Sequence, residues 1–295
     1  MTSEMSVDEL DAPFGAVVNG VDVSRLGPGE MKTLTEVLYA NRLIVLKGQS
    51  LDKAAYLRFG RSWGEPIPHV LDHMRMPGFP ELLVVGNTEQ KDKDNAIRNG
   101  AALWHTDQSY EAVPATATML YSIQAPAVGG ETQFCDMARA YDALSDDMKA
   151  RIGSLEVAHK YGRGKLRADD LDVNPLANDD QDSRVPVIYH PLVMEHPITS
   201  RPTLYALGHG AHAIKGMSDG ESAALLEELK THVLQEAFIY RHRYEVGDIA
   251  IWDTLQTMHR ATPIDYVSDA DTARLLWRIS VRGIPQVYEG RSADQ

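Results

Sequence analysis

The chain has 295 residues, of which 43% are hydrophobic, enough to bury a sizeable core. No apolar run approaches the roughly 18 residues of a membrane-spanning helix, and the net charge of −13 argues against nucleic acid as a partner, because phosphate binding needs clustered lysine and arginine. A single cysteine, Cys135, excludes an intramolecular disulfide and a cysteine-based zinc cluster.

The N-terminal part of the chain predicts two helices around a short strand. Met1–Leu10 is acidic and lacks the basic and apolar segments of a secretory signal, so we expect a cytoplasmic enzyme. Apolar residues then recur at helical spacing over 31–38, and Leu43–Leu46 is typical of a short buried strand. Ser50 is placed to cap a second helix that runs to about Trp63.

Strand-like runs dominate the rest of the chain, separated by turns rich in glycine, proline and aspartate. They are Leu82–Val85, Thr116–Gln124, Thr203–Leu207, Ile249–Trp252 and Arg274–Val281. Two helices interrupt them, one over 146–155 behind Ser145 and one that opens with the capping box Ser218-x-x-Glu221. Many short strands with few long helices predict a mainly β fold with peripheral helices, in one domain over 1–295.

A long polar stretch at 160–186 separates two of these strand-rich regions. It begins with basic residues and continues with two aspartate-rich runs. Because it is too long for an ordinary connection, we expect an active-site lid or a disordered loop.

Two histidines and one carboxylate form a candidate metal site. In His105-Thr106-Asp107 the first and third side chains project from one face of an extended segment, since side chains alternate along a strand. His259 follows the predicted strand at 248–253 and completes a 2-His-1-carboxylate triad. Such a triad binds non-heme Fe(II) on one face and leaves the other face open, and the same donors also suit zinc.

The segment Arg274–Arg282 alternates between an apolar face and a cationic face. Arg274 and Arg278 share the cationic face, roughly 13 Å apart along a strand. Oxygen activation at iron needs electrons beyond those of a C–H substrate, and a 2-oxo acid with a distal carboxylate can supply them. Arginine binds carboxylate bidentately, so this face suits two separate anion contacts; the alternative is an ordinary solvated face.

These residues together resemble a known family. The matching motifs, in chain order, are His105-Thr106-Asp107, Gly129-Gly130-Glu131-Thr132, Trp252-Asp253, His259 and Arg274-x-x-x-Arg278. They are similar to those of the Fe(II)/2-oxoglutarate dioxygenases that include taurine dioxygenase and 2,4-dichlorophenoxyacetate dioxygenase. The run at 14–22 resembles the opening of that family, so the resemblance covers nearly the whole chain.

The resemblance implies a double-stranded β-helix, or jelly roll, with helices outside. It implies that His105, Asp107 and His259 bind Fe(II), and that Thr132 and Arg274 hold the distal carboxylate of 2-oxoglutarate. With O2 as the second co-substrate, the reaction would hydroxylate a C–H bond and release succinate and CO2, and a heteroatom on the hydroxylated carbon would then be lost. The carboxylate favours hydroxylation over halogenation, and the family implies a homo-oligomer, either a dimer or a tetramer.

The resemblance says less about the small-molecule substrate. Arg278 matches an arginine that meets the sulfonate in the taurine enzyme, which implies an anion such as a sulfonate, a sulfate ester or an aryloxyalkanoate. Ala101 replaces a substrate-contacting asparagine of that enzyme, so taurine itself is not expected. His69 and His73 fall where the taurine enzyme has a substrate-facing histidine, so we expect a substrate contact among them.

Two other functions are compatible with part of these residues. A zinc hydrolase would use the triad to activate water, but Thr132 and Arg274 would then have no role. A non-catalytic binding protein on a degenerate jelly roll would not need three intact ligands. His209 and His212 form a further candidate metal pair, although glycine-flanked histidines without a nearby carboxylate are more often polar loop residues.

Overall fold

The structure is a computed structural model that describes residues 5–161 and 186–288. Its described α-helices are α1 Pro28–Asn41, α2 Lys53–Trp63, α3 Asn95–Arg98, α4 Met137–Asp142, α5 Asp146–Ile152 and α6 Asp219–Val233. Short 3-10 helices lie at Asp72–Met74, Gln90–Lys93, Gly100–Ala102, Glu236–Phe238, Ala270–Thr272 and Gln286–Tyr288. Most of the predicted lid at 160–186 falls outside the described residues.

The strands outnumber the helices, as the sequence predicts. In the first half of the chain they are β1 Ser6–Glu9, β2 Ala16–Asn19, β3 Leu43–Leu46, β4 Glu65–Pro66, β5 Arg75–Met76, β6 Phe79–Gly86, β7 Ala117–Gln124 and β8 Thr132–Asp136. In the second half they are β9 Glu156–His159, β10 Ile188–Pro191, β11 Val193–Glu195, β12 Pro202–Leu204, β13 Ala211–Ile214, β14 Ile239–His242, β15 Ile249–Asp253, β16 Thr257–Ala261 and β17 Leu275–Arg282.

A nine-stranded sheet and a three-stranded sheet form the two layers of a sandwich. The larger sheet has the order β1-β2-β3-β15-β7-β17-β6-β5, with β4 paired to β17, and the smaller has the order β14-β8-β16. All pairs are antiparallel except β2 with β3. The last strand among the described residues, β17, therefore lies inside the larger sheet, between β7 and β6.

The central strands β3 and β15 of the larger sheet are apolar on both faces because both of their faces are covered. Leu43 and Trp252 belong to a buried cluster between the sheets that also contains Phe134 of β8. Alternate side chains of the same strands, such as Ile44 and Ile251, pack with α1 and α2 on the outer side. The sandwich interior and the helical layer are thus separate cores on either side of one sheet.

The outer face of the smaller sheet packs against helices as well. Cys135 of β8 and Met258 of β16 are fully buried there, with Leu225 and Leu229 of α6. The single cysteine is therefore a small core residue, as its type predicts. No helix among the described residues combines the length and the apolarity needed to cross a membrane.

Helix boundaries differ from the sequence-based prediction at two places. Asp52, not Ser50, caps α2 by accepting the amide of Ala55 at 2.7 Å. The amide of Leu51 donates instead to the hydroxyl of Tyr121 at 3.0 Å, which holds the backbone outside the helix at this point. The helix after Ser145 has the predicted cap but ends at Ile152, and the capping box at the start of α6 is confirmed.

Candidate active site

The three predicted metal ligands converge in the structure. One donor atom from each of His105, Asp107 and His259 lies within 4.8 Å of the others. The two histidines exchange backbone hydrogen bonds, each amide donating to the other carbonyl at 2.9 Å. This bridge holds their ring centroids 4.2 Å apart, and it joins a loop to β16, although the chain between them is long.

Asp107 completes the cluster from the start of a turn. Its carboxylate lies 3.8 Å from Nε2 of His105 and 3.6 Å from Nε2 of His259. The sequence places His259 after a strand, whereas the structure places it inside the next strand, β16, opposite Phe134 of β8. The expected extended segment ends at Thr106, because a turn follows directly.

A hydrogen bond orients the ring of His105, and packing orients the ring of His259. Nδ1 of His105 donates to the carbonyl of Leu103 at 2.7 Å, which leaves Nε2 as the free donor atom for a metal. The ring of His259 packs against Trp252, with centroids 4.6 Å apart. Among the described residues, Oδ2 of Asp107 has no hydrogen-bond partner, so it too is available.

The charge state of the cluster suits a divalent cation. Burial lowers the pKa of His105, and burial with the nearby His105 ring lowers that of His259 well below its ordinary range, so both rings are neutral. Burial acts to raise the pKa of Asp107, but the Arg278 guanidinium, the largest opposing cause, outweighs it, and the net pKa is low. One anionic and two neutral donors match the triad of non-heme Fe(II).

Arg274 brings a charge into the sandwich interior that forms no salt bridge among the described residues, although Glu131 acts on it electrostatically. It is 2% exposed, and among the described residues its Nε and Nη2 atoms have no hydrogen-bond partner. The hydroxyl of Tyr244 donates to Oγ1 of Thr132 at 3.0 Å, and Tyr244 also interacts electrostatically with Arg274. A buried cation with open donors is costly unless an anion meets it, so the residues fit a carboxylate.

Strand register places this anion site beside the metal cluster. His259 pairs with Phe134 across β16 and β8, and Thr132 lies two residues along β8 on the same face. Diagonal neighbours of this kind are roughly 7–8 Å apart. A short dicarboxylate can therefore reach from the metal cluster to Thr132.

The cationic face of β17 is not solvated. Arg274 and the neighbouring Leu276 are buried inside the sandwich, and the side chain of Arg278 is 15% exposed. Nη1 of Arg278 lies 3.2 Å from Oδ1 of Asp107. The solvated alternative is therefore wrong, because the smaller sheet covers this face.

A cavity opens from the metal cluster, with about 1040 Å³ of space that includes its open mouth. His105, Asp107 and Arg278 line its inner end, and His69 lines its wall. His73 is exposed on a 3-10 helix and is not among the lining residues, so the structure brings only one of the two predicted histidines to the site.

Several lining residues are not predicted by the sequence motifs. Tyr110 and Tyr161 meet edge to face with ring centroids 5.0 Å apart, and His69 lies 6.4 Å from Tyr161. Burial with the Arg278 cation lowers the pKa of His69 to about 3, so this ring is neutral. The position of Tyr110, in the turn that begins at Asp107, is the one signal that pointed to it.

Two further cations reach the cavity. Arg98 donates to the carbonyls of Asp92 at 2.7 Å and Ile264 at 2.9 Å, so its donors are engaged by the backbone. Lys160 lines the cavity near Tyr161. Arg278 is therefore the cation that lies beside the metal cluster.

The candidate pair His209 and His212 does not form a second metal cluster. His209 lines the cavity, whereas His212 is exposed. Within 5–161 and 186–288, only the triad groups three potential ligands of this kind.

Known proteins resemble this chain over nearly its whole length. The family described as Taurine catabolism dioxygenase TauD, TfdA family matches residues 6–280. The (S)-phenoxypropionate/alpha-ketoglutarate-dioxygenase of Sphingobium herbicidovorans is 32% identical over 294 residues, which cover 97% of each chain. The alpha-ketoglutarate-dependent sulfate ester dioxygenase of Pseudomonas putida is 30% identical, over 98% of this chain and 93% of the relative.

The resemblance extends to solved structures. The crystal structure of AAD-2 in complex with Mn(II) and N-oxalylglycine has a TM-score of 0.78 to this chain at 28% sequence identity. The match covers 99% of both chains. The arrangement of the strands is therefore shared along with the sequence motifs.

Proposed function

This chain belongs to the TauD/TfdA family of taurine catabolism dioxygenases, and we propose that it hydroxylates a C–H bond next to a heteroatom in a small organic anion with an apolar body. It is an Fe(II)- and 2-oxoglutarate-dependent dioxygenase with the predicted jelly-roll fold. The zinc-hydrolase and non-catalytic alternatives are therefore wrong.

We assign the metal to His105, Asp107 and His259. Bound Fe(II), with 2-oxoglutarate and O2, supplies the oxidising chemistry, and succinate and CO2 are released. The protein contributes two neutral imidazoles and one anionic carboxylate, held by the backbone bridge between the histidines. Arg278 contacts Oδ1 of Asp107 and leaves Oδ2 free to bind.

We assign the distal carboxylate of 2-oxoglutarate to Thr132 and Arg274. The observation that supports this assignment is the buried guanidinium of Arg274, whose Nε and Nη2 have no partner among the described residues. A carboxylate would supply the missing acceptors and offset the buried charge. Thr132 adds a neutral hydroxyl donor on the facing sheet.

The cavity supports a substrate with one anionic end and an apolar body. Its apolar wall consists of Leu71, Met74, Leu83, Val85, Ile97 and Leu103. Tyr110 and Tyr161 add aromatic surface against which a ring can pack. Arg278 offers the cation beside the metal cluster, so the anionic group would bind there and the apolar body would extend toward the wall.

This description fits aryloxyalkanoates first and alkyl sulfate esters second, as the names of the two relatives suggest. It fits taurine poorly, since taurine carries an ammonium group and no apolar body. Hydroxylation of the carbon that bears the ether oxygen would give a phenol and a 2-oxo acid. Hydroxylation beside a sulfate ester would release sulfate and an aldehyde.

The test is a panel of 2-phenoxypropionate, hexyl sulfate, hexanesulfonate and taurine, scored by substrate-dependent succinate release. 2-Phenoxypropionate is paired with its neutral amide, which keeps the shape and removes the charge. The substrate is varied rather than Arg278, because Arg278 also contacts Asp107. We expect the phenoxy acid to exceed its amide by at least tenfold in kcat/KM; equal rates would contradict the anionic substrate.

Two further properties are proposals from the family resemblance. We infer a homo-oligomer, a dimer or a tetramer, and a cytoplasmic location. Light scattering of the purified protein measures the mass in solution directly. A mass equal to that of one chain, 32.7 kDa, would contradict the oligomer.

A further inference from the structure

Tyr244 is a buried phenol next to the proposed 2-oxoglutarate anchor. It is 5% exposed, and it lies two residues beyond the end of β14. The register pairs His242 of β14 with Thr132 of β8, so the continuation of β14 places Tyr244 beside this threonine. The ring of Tyr244 stands edge-on to His242 with centroids 4.6 Å apart, which limits its rotation.

The direction of the hydrogen bond between Tyr244 and Thr132 can be assigned. The hydroxyl of Tyr244 donates to Oγ1 of Thr132 at 3.0 Å. Burial raises the pKa of Tyr244, although Thr132 and the Arg274 guanidinium act to lower it, so the phenol keeps its proton at neutral pH. Tyr244 is therefore the donor in this pair.

This direction determines what Thr132 can do. A threonine hydroxyl has one proton and two lone pairs. Because Tyr244 occupies a lone pair, the proton of Thr132 is left to donate elsewhere. Within the described residues, Tyr244 is the one side-chain hydrogen-bond partner of Thr132, so that proton is available to an anion held by Arg274.

We propose that Tyr244 is a positioning residue for 2-oxoglutarate, fixing the Thr132 hydroxyl as a donor to the distal carboxylate. It acts through Thr132 and contributes to the choice of 2-oxoglutarate over 2-oxo acids that lack this carboxylate. The inference rests on the proposed roles of Thr132 and Arg274.

The test uses Tyr244→Phe, which removes the hydroxyl and keeps the ring. The matched control is Tyr240→Phe on β14, whose hydroxyl bonds Nδ1 of His242 at 3.2 Å and does not contact Thr132. The two probes are 2-oxoglutarate and 2-oxopentanoate, which carries a methyl group in place of the distal carboxylate. Ligand-induced shifts in Tm with Mn(II) report binding without turnover, and KM and kcat are measured with Fe(II).

For Tyr244→Phe we expect a roughly three- to tenfold rise in KM for 2-oxoglutarate, the size of one neutral hydrogen bond. We expect kcat within twofold of the wild type, a smaller Tm shift with 2-oxoglutarate, and an unchanged response to 2-oxopentanoate. Tyr240→Phe should match the wild type in all of these. In a Thr132→Val background, Tyr244→Phe should add no further loss, since the residue it acts through is gone.

Other outcomes overturn the proposal. An unchanged KM and Tm shift for 2-oxoglutarate, or equal losses for both 2-oxo acids, would show that the hydroxyl only supports packing. Because KM does not depend on the fraction of folded enzyme, a variant of reduced stability still gives an answer. Wild-type enzyme that shows no response to 2-oxoglutarate would instead contradict the proposed function.

Discussion

Arg274 keeps a positive charge in the sandwich interior, where its Nε and Nη2 lack partners among the described residues. Replacing an uncompensated buried charge with an apolar side chain is often neutral or stabilising. For Arg274→Met we therefore expect an equal or higher Tm without ligand. Binding of 2-oxoglutarate should weaken by about 1.5–3 kcal/mol, the range for a hydrogen bond to a charged group.

Differential scanning calorimetry with and without Mn(II) and 2-oxoglutarate measures both effects. Arg282→Met is the matched control, since Arg282 ends β17, the strand that Arg274 directly precedes, but is partly exposed and faces Glu65 and Glu111. A lower Tm without ligand, combined with an unchanged ligand shift, would assign Arg274 to stability rather than to binding.

From the burial of His159 we expect the folded state to lose stability in acid. It is fully buried, and neither ring nitrogen has a partner among the described residues. Burial, with a contribution from His190, lowers its pKa to about 3, whereas the unfolded chain titrates near 6.5. Between these values the unfolded state binds one more proton, so this group lowers stability by about 1.4 kcal/mol per pH unit as the pH falls.

We expect His159→Phe to remove this contribution. Urea unfolding at pH 6.5, 5.5 and 4.5 would then show a shallower pH slope than the wild type. His73→Gln changes an exposed histidine on the 3-10 helix Asp72–Met74, which is not among the groups that shift the pKa of His159, and it should leave the slope unaltered. Equal slopes for wild type and His159→Phe would mean that His159 is protonated in the folded state.

At the level of elements, the turn between β7 and β8 lies against the side chain of Arg274. Gly129 and Gly130 both have positive φ, 78° and 72°, so alanine strains the backbone at either position. A Cβ on Gly130 would lie 3.1 Å from Cδ of Arg274 and 2.8 Å from Cγ of Pro126, whereas a Cβ on Gly129 meets nothing within 4 Å.

Gly130→Ala should therefore raise KM for 2-oxoglutarate by about tenfold, because the displaced guanidinium no longer aligns with its carboxylate. Gly129→Ala should lower Tm, because the same backbone strain reduces the free energy of unfolding by about 1 kcal/mol. It should leave KM unchanged. Steady-state kinetics and thermal denaturation of the two variants separate the effects. Equal KM values would mean that the turn does not position Arg274.

At the scale of elements, periodicity predicts the bounds of a strand but not its surroundings. The sequence predicts the strand at 274–281 within one residue of β17, because alternation is a local property. It does not say which face is covered, since that depends on β8 and its neighbours in the opposing sheet. Ser50 and Asp52 are likewise equivalent caps by residue type, and only the hydrogen bond between Leu51 and Tyr121 distinguishes them.

At the scale of the whole molecule, metal and co-substrate should stabilise the fold. The proposed metal ligands come from a loop and from β16, and the proposed 2-oxoglutarate anchors, Thr132 and Arg274, come from opposing sheets. Bound ligands would therefore tie distant segments together. Binding to the folded state alone stabilises by about 2.7 kcal/mol at one hundred times Kd. We expect Mn(II) with N-oxalylglycine to raise Tm, and EDTA to reverse the rise.

His105→Ala provides the control for this effect. It removes one ligand and the hydrogen bond to Leu103, but it keeps the backbone bridge to His259. The variant should fold, show no metal-dependent rise in Tm and release no succinate. Metal-dependent stabilisation of equal size in His105→Ala would contradict the assigned triad.

The sequence predicts the triad, Thr132, Arg274 and Arg278 through a family resemblance, and composition alone predicts little beyond a mainly β fold. Strand order could not be predicted from periodicity, because pairing depends on contacts between distant segments. Tyr244 and Tyr161 were missed for the same reason: each is placed by its neighbours in the folded sheets, and neither belongs to a recognised motif. The sequence could not show that His73 lies outside the cavity lining, because nearby sequence positions can point to opposite sides of a loop.

The position of β17 has a consequence for biosynthesis. While a ribosome makes the chain, β6 and β7 emerge long before the strand that joins them, and their facing edges stay open until β17 has been made. Unpaired strand edges template wrong association, and long-range pairing is slow. The nascent chain can therefore neither join β6 to β7 nor bring Arg274 into the sandwich until β17 has been made, so termination before β17 would leave an aggregation-prone product.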